Sequence, residues 1–382
     1  MTAKPKMCVV AATPLTIYFF LQPHLVELSR EFDVTLVCNP SNDAYLPPLE
    51  LPVRQIAIGM KRKISPLRDL HTLLELSRLF RREHFDIVVS VAPKAGLLGM
   101  LAAAFAGVEY RVHIFQGEVW ASRTGLMRVF LKAMDRITAT SATHIMAVGR
   151  SERRFLEEQG VVKVGRVEVL GSGSISGVDL ERFRPNPLVQ REFRSERGIP
   201  DDAILCLFLG RLTADKGVFD LARAFSLSGA ANPKLWLILA GPDEEGVGEQ
   251  LRQGVAGEVS KRMLIDGFTH APERYLAAAD FLCLPSYREG FAMVIIEAAA
   301  VGIPSIGTLI YGIADTIVDN ETGVLVSAGD VSALAEAITK MSTDASLRER
   351  MARAGRVRVE VEFSQGKVVA GYVDFFRRLL SS

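Results

Sequence analysis

The chain has 382 residues, 49% of them hydrophobic and 23% charged, with a net charge of +1. It is too long for one ordinary core, too apolar for extended disorder and too neutral for a dedicated nucleic-acid binder. The charge is uneven, because residues 1–180 hold 22 Lys/Arg against 17 Asp/Glu while the remainder holds 23 against 27. A basic half implies an anionic partner, such as lipid headgroups or a diphosphate.

Met7–Leu21 is apolar and follows Lys4 and Lys6, but Pro14 interrupts it and no small-x-small cleavage site follows. It reads as a first buried strand and its loop rather than a signal peptide. Asp33–Cys38, Arg54–Ile58, Ile87–Val91, Tyr110–Phe115, His144–Val148 and Val167–Leu170 read as further strands, with helical patterns at Pro66–Glu83 and Gly96–Gly107. The apolar run Ala95–Val108 is shorter than the about 20 residues that a membrane span needs, and fits a buried helix. Gly171–Pro187, rich in Gly, Ser and Pro, reads as a linker.

After it the alternation restarts. Ile204–Leu209, Leu235–Ala240, Met263–Ile265, Phe281–Leu284, Pro304–Gly307 and Gly323–Val326 read as strands. Asp220–Leu227, Ala271–Ala278, Phe291–Val301 and Val331–Met341 read as the helices between them. Strand–helix alternation predicts parallel sheets covered on both faces. The expected architecture is α/β, with two doubly wound Rossmann-like domains facing across a cleft and ligands beyond the carboxyl ends of the strands. The expected domains are 1–180 and 181–360, with 361–382 a helix packing back on the first. Cys8, Cys38, Cys206 and Cys283 each sit in a strand-like run without a partner at ligand spacing. They read as buried reduced thiols, as in a cytoplasmic protein.

Chemistry concentrates in the second half. Gly210-Arg211-Leu212-Thr213-Ala214-Asp215-Lys216-Gly217 follows a strand. Gly210 suits a tight turn, and Arg211 and Lys216 place two cations past the strand end, enough to neutralise a diphosphate without metal. Glu289-Gly290-Phe291 opens a helix whose free N–H groups and positive dipole end suit a phosphate. Glu297 lies two turns on, between Ile295, Ile296 and Ala298–Ala300, where a carboxylate is costly unless something bonds it.

Together with Gly302-Ile303-Pro304, the segment Gly171–Asp179 followed by Arg182-Phe183, and the turn Asn320-Glu321-Thr322-Gly323, these motifs resemble retaining glycosyltransferases of family 4, with the GT-B fold and of bacterial surface-polysaccharide type. The resemblance implies that Arg211 and Lys216 hold the diphosphate and that Glu289, with the amides of Gly290, Phe291 and Ala292, holds the donor sugar. It implies that Glu297 binds the ribose and that the base rests near Gly267–Phe268. It further implies a UDP-linked donor, an N-acetylhexosamine as the sugar, and a polyprenyl-diphosphate-linked acceptor. No cofactor and no metal are expected, in keeping with the lack of an Asp-x-Asp motif. A nucleotide-sugar 2-epimerase of the same architecture and a silent sugar-binding module remain alternatives. A Rossmann oxidoreductase does not, since Ala11–Leu15 lacks the glycines it needs.

The first half offers acceptor candidates. Thr13 and Thr16 lie in the first loop, and Lys94 begins a helix after a strand. Gln116 stands where many related enzymes carry a histidine, while His113 lies three residues earlier and reads equally as a buried, satisfied histidine. Lys61-Arg62-Lys63-Ile64 with Arg68, and the mixture of aromatic, aliphatic and basic residues over Trp120–Arg136, suit an anionic membrane surface or a solvated helix face. The expected location is peripheral, on the inner face of the cell membrane.

Overall fold

The computed structural model describes residues 4–39, 50–60 and 64–381. Contacts divide it into two units, Met1–Gly177 with Gln365–Ser382, and Val178–Ser364. The divisions fall at Gly177/Val178, within the Gly/Ser/Pro-rich segment, and at Ser364/Gln365. Lys61–Lys63, part of the first basic cluster, lie outside the described residues.

In unit 1 the chain runs β1 (Lys6–Ala11), α1 (Pro14–Thr16), a π-helical turn (Ile17–Leu21), α2 (Gln22–Leu28), β2 (Asp33–Cys38), β3 (Arg54–Ala57) and α3 (Pro66–Glu83). It continues through β4 (Ile87–Val91), α4 (Pro93–Ala106), β5 (Tyr110–Phe115), α5 (Gly125–Ser141), β6 (His144–Ala147), α6 (Arg150–Glu158) and β7 (Val167–Glu168). All strands pair in parallel in the order β3-β2-β1-β4-β5-β6-β7. The run from Met7 is therefore a central strand, and Met7–Ala11 are all buried. The central strands are short continuous apolar runs, as in a parallel sheet covered by helices on both faces, whereas the end strands β3 and β7 are partly polar and exposed.

Unit 2 contains α7 (Pro187–Glu196), β8 (Ile204–Leu209), a 3₁₀ turn (Ala214–Lys216), α8 (Val218–Ala231), β9 (Leu235–Ala240), α9 (Gly248–Gly254) and β10 (Met263–Asp266). Then follow α10 (Pro272–Ala278), β11 (Phe281–Leu284), α11 (Met293–Val301), β12 (Ser305–Thr308), α12 (Tyr311–Ala314), β13 (Gly323–Val326), α13 (Val331–Thr343) and α14 (Ala345–Glu362). Its strands are parallel in the order β10-β9-β8-β11-β12-β13. The chain enters and leaves this unit side by side, with Val178 N–H donating to Phe363 O at 2.7 Å. The last helix, α15 (Gln365–Ser381), belongs to unit 1, where it packs on α2 and buries Tyr372, Phe375 and Phe376.

The four cysteines are buried free thiols on β1, β2, β8 and β11. Among the described residues no helix is long and apolar enough to cross a membrane.

Candidate functional site

In unit 2 the order reverses between β8 and β11: β9 and β10 lie to one side, β12 and β13 to the other. Loops leaving the carboxyl ends of adjacent strands part there, which opens room for a ligand. The Arg211–Lys216 segment follows β8 and the Ser286–Ala292 segment follows β11, so topology brings them together.

The two segments are bonded. Lys216 Nζ donates to Glu289 Oε1 at 2.7 Å, with both side chains largely buried. Ser286 Oγ donates to the same oxygen at 2.9 Å, and the Thr308 hydroxyl donates to the Ser286 carbonyl. Tyr287 N–H donates to Asp215 O at 2.9 Å, and Arg288 pairs with Asp215 at 3.1 Å. Burial pushes the Asp215 carboxyl up, but the Thr213 hydroxyl and the charges of Lys216, Arg288 and Arg211 outweigh it and hold it below its ordinary value.

Arg211 differs from expectation in its partner. It is paired with Glu244 at 2.9 Å, on the loop after β9, and Glu245 of that loop accepts from Ala214 N–H at 2.9 Å. An anionic ligand that takes Arg211 therefore meets the Glu244 carboxylate beside it. Gly210 also differs. Its φ is not positive and a Cβ there would meet only the Phe208 ring at 3.5 Å. The demanding glycine is Gly241, at φ 145°, where a Cβ would lie 1.9 Å from Gly210 O. Neighbouring strand ends approach too closely for a side chain.

Helix α11 begins at Met293, two residues later than expected, because Ala292 has a non-helical ψ of 78°; its N–H donates to Gly312 O at 2.9 Å. Ala292 is thus a corrected assignment: its amide is committed within the protein. The amides of Gly290 and Phe291 have no acceptor among the described residues. Gly312 was not visible as a site residue in the sequence. A Cβ there would stand 2.2 Å from Glu289 O, so its bareness sets where Glu289 lies.

Glu297 is half-buried on α11 and has no hydrogen-bond or ion-pair partner among the described residues. Burial pushes its carboxyl up to about 7; the Arg182 charge opposes this and Glu273 adds to it. Arg182 itself is spent on Glu273 at 2.8 Å and on His270 O at 3.1 Å. Phe268 follows β10, with its ring edge-to-face on His270 at 4.9 Å. Unit 2 therefore carries an unsatisfied carboxylate on α11, with two open amides and two cations in the loops beyond the carboxyl ends of β8 and β11. Such a set can hold a diol and absorb negative charge on a departing phosphate.

In unit 1 several of the acceptor candidates have partners within the protein. Thr13 and Thr16 hydroxyls bond each other at 3.1 Å, and Thr13 Oγ1 caps α1 by accepting Thr16 N–H. Lys94 is no free cation, because it pairs with Asp69 at 2.7 Å. His113 is buried within β5, its Nδ1 2.9 Å from Ser90 Oγ. Burial drives its pKa down to about 3, so the ring is neutral near pH 7. It packs on Gly96 so closely that a Cβ there would stand 2.3 Å from the ring. Gln116, half-buried just past β5, has no partner among the described residues. Trp120 is not a surface residue: it is 1% exposed and stacked on Phe155 at 5.3 Å.

Two family models match this chain, a glycosyl transferase 4-like domain over residues 24–173 and glycosyl transferases group 1 over residues 189–358. The chain is 32% identical over 314 residues to the capsular polysaccharide biosynthesis glycosyltransferase CapM of Staphylococcus aureus, covering 80% of each. It is 26% identical over 323 residues to the UDP-Gal:alpha-D-GlcNAc-diphosphoundecaprenol alpha-1,3-galactosyltransferase of Escherichia coli, covering 83% of this chain and 81% of that one. Its fold is similar to that of sucrose-phosphate synthase from Thermosynechococcus elongatus, with a TM-score of 0.81 at 21% identity, over 99% of this chain and 100% of that one. It is likewise similar to Anabaena HepE in complex with UDP and glucose, with a TM-score of 0.80 at 16% identity, over 98% of this chain and 99% of that one. With two parallel doubly wound sheets, and a relative of this identity matched over most of its length, the chain belongs to the family 4 glycosyltransferases of GT-B fold, of the bacterial surface-polysaccharide type.

Proposed function

We propose that this chain transfers a sugar, with retention of configuration, from a UDP-linked donor to a polyprenyl-diphosphate-linked saccharide at the inner face of the cell membrane. The observation that carries this reading is the Lys216–Glu289–Ser286 cluster beside the open amides of Gly290 and Phe291. Support for the nucleotide comes from the names of the Escherichia coli relative and the HepE complex; support for the acceptor comes from the former. An N-acetylhexosamine is the sugar we favour, by resemblance.

In this reading the diphosphate rests on Arg211, Lys216 and the open amides, and Glu297 accepts hydrogen bonds from the ribose diol. Phe268 lies beside the base. Glu289 orients the sugar hydroxyls. The bond from the anomeric carbon to the diphosphate oxygen breaks as an acceptor oxygen bonds the same face. The departing phosphate takes the acceptor's proton. Lys216 and Arg211 neutralise the charge that develops on it, so the residues present supply what a metal would otherwise do. On the acceptor side, Gln116 is the candidate side chain without a partner among the described residues, and we place it, rather than His113, toward the acceptor.

The test is a donor screen with the full chain. UDP-N-acetylglucosamine, UDP-N-acetylgalactosamine, UDP-galactose and GDP-mannose are each offered with an undecaprenyl-diphosphate N-acetylglucosamine acceptor, with and without a chelator. We expect acceptor-dependent UDP release from one UDP-sugar, unaffected by the chelator. Conversion of a UDP-sugar to its epimer without acceptor would favour the isomerase; loss of activity with the chelator would overturn the metal-free mechanism.

A further inference from the structure

Helix α6 carries a buried acid among exposed arginines. Arg150, Arg153 and Arg154 face solvent, whereas Glu152 between them is 0% exposed. A carboxylate taken wholly out of water is costly unless hydrogen-bond donors answer it. Two of its donors are backbone amides from different segments. Gly117 N–H donates to Oε1 at 2.6 Å and Val148 N–H donates to Oε2 at 2.8 Å. Val148 immediately precedes Gly149, the N-cap of α6, so that bond serves the start of the helix. The bond to Gly117 does nothing for α6. It reaches a loop 35 residues away along the chain. The last rung between β5 and β6 pairs Phe115 with Ala147. Beyond that rung the carboxylate, not the sheet, ties the two chains together. Gly117 takes φ 82°, a conformation that residues other than glycine rarely adopt.

The same helix holds the loop a second time. Phe155, three residues after Glu152, stacks on Trp120, three residues after Gly117, at 5.3 Å. Trp120 Nε1 also donates to Asp135 of α5 at 2.7 Å. The loop after β5 is therefore pinned at Gly117 and again at Trp120. Gln116 stands immediately before the first pin, half-buried and without a partner among the described residues. It lies at the carboxyl end of β5, the end of a doubly wound sheet where ligands bind. Val148 extends the tether to the segment by which the chain leaves unit 1. Ser174 N–H donates to Val148 O at 2.7 Å, Gly177 N–H donates to Ser174 Oγ at 2.9 Å, and Tyr372 of α15 donates to Ser174 O at 3.4 Å. Burial, and after it the charge of Glu152, push the Tyr372 hydroxyl above its ordinary value.

We propose that Glu152 is a positioning residue for the transfer, fixing the loop after β5 through Gly117 N–H so that Gln116 is presented to the saccharide acceptor from one place. Glu152 itself touches no substrate. The proposal rests on the acceptor-side reading of Gln116.

The full chain and its variants are compared by acceptor-dependent UDP release, UDP calorimetry and hydrogen exchange. Glu152→Gln leaves one acceptor oxygen for two N–H groups. It should lower kcat/KM for the saccharide acceptor at least about tenfold and leave UDP affinity within about twofold, since the nucleotide is held in unit 2. Backbone amides of residues 116–120 should exchange faster than in the wild type. Gln116→Ala should lower kcat/KM to a similar degree. The double variant should fall no more than about threefold below Gln116→Ala, because Glu152 acts through Gln116. Glu152→Asp keeps two acceptor oxygens but is one methylene shorter. It should hold Val148 and the fold, release Gly117 and show the same transfer defect; it decides the matter if thermal melts find Glu152→Gln unfolded. Defects that multiply in the double variant overturn the proposal, as does unchanged exchange over residues 116–120. So does a kcat/KM for Glu152→Asp within about threefold of wild type. A wild type that transfers nothing in the donor screen, with exchange raised in Glu152→Gln, sinks the enzymatic reading and leaves the tether on the loop standing.

Discussion

Replacing Lys216 by methionine keeps the length and apolar stem of the side chain and removes its charge. The lysine nitrogen lies 2.7 Å from Glu289 Oε1, and the two side chains are only 13% and 14% exposed. Without it the Glu289 carboxylate keeps the Ser286 hydroxyl at 2.9 Å but loses its cation. Breaking a fully buried pair from one side costs about 3–5 kcal/mol; the residual access to water here lowers that to about 2–3 kcal/mol. Glu289→Gln in the same chain removes the stranded charge, so the double variant should regain at least about 1 kcal/mol over Lys216→Met alone. Catalysis should respond differently. Removing one fixed donor to a developing oxyanion lowers kcat by about 10²–10³, equivalent to about 3–4 kcal/mol of transition-state stabilisation. The assays are urea unfolding of all four members of the cycle and acceptor-dependent UDP release by the same proteins. We expect stability to recover in the double variant and turnover to stay low. If Lys216→Met keeps kcat/KM within about threefold of wild type, the lysine is a strut for Glu289 and not a phosphate ligand.

Three further substitutions test the site and its frame. Gly312→Ala places a Cβ 2.2 Å from Glu289 O, a backbone atom that no rotamer change can move. It should cost about 1–3 kcal/mol in urea unfolding and weaken UDP binding by calorimetry; unchanged UDP affinity would detach Gly312 from the site. Glu297→Gln probes a carboxyl that burial raises from its ordinary 4.5 to about 7. The folded protein keeps this proton where the unfolded chain has lost it, so the wild type loses stability as pH rises from about 4.5 to 7. The stability of Glu297→Gln relative to wild type should grow over that window, and its UDP affinity should fall; a pH-independent difference in melting temperature refutes the titration. Gly96→Ala drives a Cβ to 2.3 Å from the His113 ring, and His113→Ala in that background should restore part of the lost stability in thermal melts. A double variant less stable than Gly96→Ala would refute this packing.

Much of the fold was legible because its strands are short apolar runs closed by Gly, Pro or a helix cap. Asp33–Cys38, Ile87–Val91, Tyr110–Phe115, Ile204–Leu209, Leu235–Ala240, Phe281–Leu284 and Gly323–Val326 have the bounds read from sequence. Helix α14 was missed: arginines and glutamates interrupt the apolar spacing of Ala345–Glu362, and only Leu347, Met351, Gly355 and Val359 are buried. Helix α5 was legible as a mixture of apolar and basic residues, yet the side it turns outward was not. Trp120, the largest hydrophobe of that segment, is buried, while Leu126 and Phe130 are left outside.

The site divides in the same way. Arg211, Lys216, Glu289 and Glu297 announce themselves because cations and carboxylates at strand ends and in an apolar helix are costly unless used. By itself, the sequence determined the alternation of elements, the parallel sheets and the residue types available for holding a nucleotide diphosphate, because these follow from local periodicity and short-range motifs. Only the tertiary structure decided which of those groups are still free. It paired Lys94 with Asp69, Arg211 with Glu244 and His113 with Ser90, committed the Ala292 amide to Gly312, and left Glu297 without a partner among the described residues. Each of these contacts joins segments distant along the chain or depends on burial, and neither quantity is written in residue spacing.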